Sequence, residues 1–140
     1  MTSYLKLGDN DQEGFYQLIL VSDDGSNFFT DAYNTGIYKK IINNDGVHSN
    51  QVGCTAIGGE ISMTKETRLP IKIEYYQGPR TQIALSVLWR RVLTASSQPS
   101  SNCGFSTSYP TAWFDPSTGM YKKLKDDGFK VLTENNYISD

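Results

Sequence analysis

Phe15-Tyr16-Gln17-Leu18-Ile19-Leu20-Val21-Ser22-Asp23-Asp24-Gly25-Ser26-Asn27-Phe28-Phe29 is the stretch on which the fold turns. Its first eight residues are almost continuously apolar with little alternation, as in a strand covered on both faces, so this strand belongs in the middle of a sheet. Residues 21–26 read as a tight connection to a second strand at 27–30, and they leave two adjacent carboxylates at a loop tip. Neighbouring side chains on a regular strand point to opposite faces, so Asp23 and Asp24 converge only if the backbone between them is unusual. Converging carboxylates call for a cation, and calcium, which takes six to eight oxygens in flexible geometry, suits them best. The alternative is an ordinary β-turn, in which Asp bonds its own backbone and Gly supplies a positive φ. These letters alone leave both readings open.

Working outward, 140 residues suffice for one core, and a single domain over 1–140 is expected. Nine tyrosines and many Gly, Ser, Thr and Asn favour short strands joined by turns, and hence an all-β antiparallel sandwich of jelly-roll-like form. The formal charge is -2, and the basic clusters, Arg90-Arg91 and Lys122-Lys123-Lys125, are small enough to be solvated surface. Nucleic acid is not an expected partner. Cys54 and Cys103 form either one bridge, adding roughly 4 kcal/mol by the chain-entropy model, or two buried thiols. With a single histidine, His48, and no C-x-x-C, a structural zinc site is not expected. No signal region or membrane-spanning run is present in these residues; if the protein is exported, the chain is expected to be a piece of something longer.

Taken in order, residues 4–7 form a short strand. The acidic loop Gly8-Asp9-Asn10-Asp11-Gln12-Glu13-Gly14 opens like an EF-hand ligand series, but its twelfth position is Leu20 and its flanks are strand-like, so it reads as an acidic hairpin loop. Residues 37–42 are a strand ending in the turn Asn43-Asn44-Asp45-Gly46. Residues 54–63 hold a strand kinked or bulged near Gly58-Gly59. Clear period-two alternation follows at 71–76 and again at 83–90, two half-buried strands facing each other across loop 77–82. A helix opens at Pro116-Ser117-Thr118, carries Met120, Tyr121 and Leu124 on one side, and stops at Gly128; Asp126-Asp127-Gly128 is its cap. Residues 129–132 offer a last strand, and 133–140 show no clear structure. A Ser-His-Asp hydrolase would have to use His48, and no Gly-x-Ser-x-Gly elbow exists to present a serine. His48 reads as a hydrogen-bonded loop residue.

The buried strand entering Val21-Ser22-Asp23-Asp24-Gly25-Ser26, then Asn44-Asp45-Gly46-Val47-His48, then Pro70-Ile71-Lys72-Ile73-Glu74-Tyr75-Tyr76-Gln77-Gly78-Pro79 ahead of residues 83–89, together resemble the PA-14 domain. This β-sandwich, named after anthrax protective antigen, is shared by yeast flocculins, other fungal and bacterial adhesins and some glycosidases. The resemblance spans residues 4–90 and leaves 91–140 as a C-terminal extension, whose helix either closes the sandwich or serves an oligomeric or host-protein contact. The family usually carries further sequence before the position of Tyr4, so another segment is expected to complete the sheet. In lectin members, the aspartates corresponding to Asp23 and Asp24 are joined by a cis peptide and hold one Ca²⁺. The resemblance assigns the remaining metal ligands to the Gln77 side chain and the backbone carbonyls of Pro79 and Thr81. Flocculins carry Asn where this chain has Gln77, which is one methylene longer, as in the bacterial branch. Vicinal hydroxyls of a sugar would complete the calcium shell while bonding Asp23 and Asp24, with Arg80 and an aromatic, Tyr33 or Tyr76, setting selectivity.

The leading expectation is therefore a calcium-dependent carbohydrate-binding module, not an enzyme, at the recognition tip of a bacterial surface adhesin or fibre. Its partner would be a cell-surface glycan, its location extracellular or at the cell surface, without membrane insertion, and it could be a homo-oligomer within a longer fibre protein. Fold alone does not settle function. The competing classes are a structural or protein-interaction sandwich without metal, and a module of a glycosidase, whose carboxylates would have to stand apart across a sugar-sized cleft.

Overall fold

A computed structural model describes residues 3–139 except 24, 33–34, 45–49, 56–59, 76–83, 95–97, 99, 102, 104–105 and 108–118. The long apolar run becomes β2 (Gly14–Asp23), which pairs with β8 (Ala84–Val92) over nine residue pairs, from Phe15↔Val92 to Asp23↔Ala84. Its other edge takes β5 (Asn50–Cys54) along residues 19–22 and β6 (Ile61–Met63) along residues 14–16. The strand expected to kink between 54 and 63 is thus two short strands. At the break the Thr55 amide donates to Leu18 O, and Thr55 Oγ1 accepts from the Leu18 amide. β9 (Ser106–Thr107) and β10 (Lys130–Val131) complete this sheet, in the order β10-β8-β2-β5-β9.

The second sheet contains β1 (Ser3–Leu5), β3 (Ser26–Thr30), β4 (Lys39–Asn44), β7 (Leu69–Tyr75) and β11 (Tyr137–Ser139), in the order β11-β1-β7-β3-β4. All pairings in both sheets are antiparallel. This is the expected all-β sandwich. Between the sheets lies a core that includes Leu5, Leu18, Leu20, Phe28, Ile42, Ile71, Val87 and Trp89.

The double-sided burial expected of β2 has a specific cause. Tyr16, Leu18 and Leu20 face the inter-sheet core, whereas Ile19 and Val21 face outward into a second cluster with Val52, Leu88, Leu124 and Phe129. Leu124 belongs to α1 (Gly119–Asp126), so the helix covers the outer face of the β2 sheet. The helix stops as its sequence indicated. Gly128 takes φ +95°, its amide donates to Lys125 O (3.0 Å), and the Phe129 amide donates to Leu124 O (2.9 Å), the nested pair of bonds that closes a helix through a left-handed residue. The N-cap candidates Ser117 and Thr118 lie outside the described residues.

Three expectations need correction. Loop 8–13 is no hairpin, because β1 and β2 belong to different sheets. The tail is ordered: Thr133 caps a single 3-10 turn (Glu134–Asn136), which leads into β11 beside β1. Its pattern is invisible as periodicity because the strand has only three residues. Finally, Arg90 is not simply solvated. Its Nε donates to Gln17 Oε1 (2.8 Å) and its Nη1 lies 2.9 Å from both Asp127 O and Asp127 Oδ1, which ties β8 and β2 to the end of the helix.

Cys54 and Cys103 are bridged, with Cα atoms 5.9 Å apart, and fasten β5 to the segment before β9. Leu124→Ala should remove about 2–5 kcal/mol from the unfolding free energy, read from denaturant midpoints. Ile37→Ala, at a residue 77 % exposed, should stay within about 0.5 kcal/mol.

Candidate functional site

Register brings several predicted site segments to one end of the sandwich. Asp23, the last residue of β2, pairs with Ala84, the first of β8, while Ser26, the first of β3, pairs with Tyr75, the last of β7. Both ends of the 24–25 connection therefore abut both ends of segment 76–83. Ser26 also pairs with Asn44, the last residue of β4, and Ser22 with Gln51 near the start of β5, so segment 45–49 leaves from and returns to the same end. Asp24, Gln77, Pro79, Arg80 and Thr81 lie outside the described residues, as do His48 and Tyr76. Asp23 is placed through its backbone. No peptide bond among the described residues is cis, and the Asp23–Asp24 bond lies outside them.

Tyr33 also lies outside the described residues, and its flanks belong to the opposite end. β3 runs from Ser26 away to Thr30, roughly 17 Å for five residues, and Asp31 then closes the next turn. Asp31 Oδ1 accepts from the Thr35 amide (2.9 Å) and Oδ2 from the Gly36 amide (2.7 Å). The register does not bring this turn toward Asp23.

Near the site end a polar residue that sequence reading missed joins the two sheets. Asn44, taken as part of a turn, is 2 % exposed, and its Nδ2 donates to Leu20 O of the other sheet (3.2 Å). Gly53 makes the approach feasible: a Cβ there would lie 2.7 Å from Asn44 Cβ. The available signal was the inward period-two position of Asn44 relative to Ile42.

At the far end, the loop that opened like an EF-hand has its own cation. Lys65 Nζ donates to the carbonyls of Asp11 (2.6 Å), Gly8 (3.2 Å) and Asp9 (3.4 Å), and the Lys65 amide donates to Glu13 Oε2 (2.7 Å). Asp11 is buried and fully engaged: Oδ2 accepts from the Gly8 amide (2.7 Å) and Asn136 Nδ2 (3.1 Å), and Oδ1 pairs with Lys130. Burial alone would raise its carboxyl, but the Lys130, Gly8 and Asn136 hydrogen bonds and the Lys130 charge outweigh it and hold the pKa below the ordinary 3.8. This loop is a structural latch between the N-terminal and C-terminal segments. Among the described residues, no group of three or more His, Cys, Asp or Glu side chains is disposed to hold a metal ion.

Comparison of the chain with protein-family models, with curated proteins and with solved structures finds no match. The chemistry therefore rests on the arrangement of the chain's own residues.

The depressed Asp11 pKa sets a sign for acid stability. Its contribution is complete above the unfolded carboxyl's 3.8 and is lost as pH falls through the lower folded value. Asp11→Asn should lower the neutral-pH unfolding free energy by about 2–3 kcal/mol and flatten the acid limb of the stability curve measured by denaturant titration.

Proposed function

We propose that this chain is a calcium-dependent carbohydrate-binding module of an extracellular or cell-surface adhesin. The observation that supports it is the pair of register contacts Asp23↔Ala84 and Ser26↔Tyr75. Through them the connection bearing Asp23 and Asp24 adjoins the loop bearing Gln77, Pro79, Arg80 and Thr81, two segments more than fifty residues apart in sequence. The donor set is entirely oxygen: two carboxylates, one side-chain amide and two carbonyls, which suits Ca²⁺ and leaves coordination positions for vicinal sugar hydroxyls. The ion would supply the charge that makes hydroxyl coordination favourable; Asp23 and Asp24 would accept hydrogen bonds from the same hydroxyls, and Arg80 would contact the sugar. The resemblance of residues 4–90 to the PA-14 domain points the same way. The Cys54–Cys103 bridge is compatible with an oxidising compartment, and no described helix is long and apolar enough to cross a membrane.

A second reading, a metal-free scaffold or protein-binding sandwich, draws on one observation. Asp11 and Asp31, both buried carboxylates, are used to hold loops together, and Asp23 and Asp24 could do the same. Calcium separates the two. Added to EDTA-treated protein at a hundredfold excess over its Kd, Ca²⁺ should stabilise the wild type by about 2.7 kcal/mol, read as a rise in Tm. Asp23→Ala and Asp24→Ala should abolish that rise, and a glycan array should lose its signal in EDTA. An unchanged Tm in millimolar Ca²⁺ favours the scaffold.

A further inference from the structure

On β8 the inward residues Val87 and Trp89 belong to the core between the sheets, and the next position on that face is Arg91. Arg91 pairs in register with Tyr16, and Trp89 with Leu18. At this end of the sandwich, therefore, the apolar filling gives way to a guanidinium. A cavity of about 270 Å³ opens here, walled by Tyr16, Trp89, Arg91, Gly128 and Lys130 together with residues 10–12 of the acidic loop.

Charge in this cavity is not balanced. Lys130 is paired with Asp11, and Arg90 with Asp127. Arg91 has no carboxylate within ion-pair distance among the described residues. Its Nε donates to Glu13 O (2.8 Å), which leaves its terminal nitrogens for another acceptor. Backbone packing also positions it: a Cβ on Gly14, whose φ is +151°, would lie 2.7 Å from Arg91 Nε. A donor fork placed in this way has less freedom to lose when a ligand arrives. A second donor in the same wall lacks a partner. Trp89 is fully buried and its Nε1 has no acceptor, a costly state for a buried N–H. Asn10 and Gln12, both exposed, add side-chain amides beside the opening.

We infer that this cavity binds a compact, polyhydroxylated carboxylate, a uronic acid in chemical class. The carboxylate pairs with the planar fork of Arg91, whose parallel donors match its two oxygens. The ring hydroxyls exchange hydrogen bonds with the amides of Asn10 and Gln12, which both donate and accept. An anionic oxygen is also the kind of group that the Trp89 N–H lacks. The single uncompensated charge matches a monoanion, whereas a phosphate dianion would bring a second charge that nothing here balances. The volume lies just under the roughly 300–1,000 Å³ of most small-molecule pockets, which suits one sugar-sized ring. Arg91 stands seven residues along β8 from Ala84, the partner of Asp23, or about 23 Å away. Binding here therefore needs no calcium.

The test follows the indole N–H signals of the ¹⁵N-labelled intact chain by NMR in EDTA, with Trp89→Phe identifying which of the two tryptophan signals is Trp89. Galacturonate is the probe, and galactose and inorganic phosphate are the controls. Galacturonate should shift the Trp89 signal saturably, and both controls should bind at least about tenfold more weakly. Arg91→Gln should weaken galacturonate at least about tenfold, and Arg91→Lys, which keeps the charge but not the fork, should fall between. If circular dichroism shows that Arg91→Gln misfolds, Asn10→Ala/Gln12→Ala, at exposed loop positions, takes its place and should weaken binding likewise. No saturable shift, undiminished binding by a folded variant, or equal binding of galactose overturns the inference. So does tighter binding of phosphate, or a shift that appears only when Ca²⁺ replaces EDTA, which would assign the sugar acid to the calcium-dependent site.

Discussion

The ladder between β2 and β8 is the constraint from which the rest of the molecule follows. Its nine pairs lock together the two strands that line the middle of one sheet, and each strand has buried residues on both faces. On the inner side Leu18, Leu20, Val87 and Trp89 meet the second sheet; on the outer side Ile19, Val21 and Leu88 meet the helix. A strand so rich in apolar residues can escape water only if something covers each of its faces. The C-terminal segment meets that requirement for the outer face: α1 packs there, Arg90 grips its end through Asp127, and Gly128 turns the chain into β10, which pairs with β8.

Closure of the sandwich is shared between the chain's two ends. β11 lies along β1, and Asp11 binds Lys130 and Asn136 across more than a hundred residues. Three carbonyls of the same loop accept hydrogen bonds from Lys65. Acidic letters in this chain therefore serve two different ends of the molecule. At one end their partners are built in. At the other, Asp23 stands where four strand termini meet, beside segments drawn from distant parts of the sequence.

Much of the fold was legible because local chemistry and packing agreed. The unbroken apolar run of β2, the alternation of β7, and Gly128 as a helix stop all express constraints carried by neighbouring residues. What escaped depended on residues far away in sequence. Arg90 looked like surface charge until Gln17 and Asp127 were seen around it. Asn44 looked like turn chemistry, yet it bonds Leu20 across the sheets. The three residues of β11 carry no readable period and are a strand only because β1 presents an open edge.

By itself, the sequence determined the strand-rich class, the buried central strand, the helix and its stop, and the oxygen-rich letters at Asp23 and Asp24, because periodicity, turn residues and capping act within a few residues. Tertiary structure alone decided which sheet each strand joins, that Cys54 reaches Cys103, that Lys65 fills the acidic loop at 8–11, and that Asp23 and Ser26 adjoin the two ends of segment 76–83. A crossover between sheets and a hairpin can begin with the same Asp-Gly. The choice is made by which buried faces the two strands must cover, and that is a property of the whole packed chain.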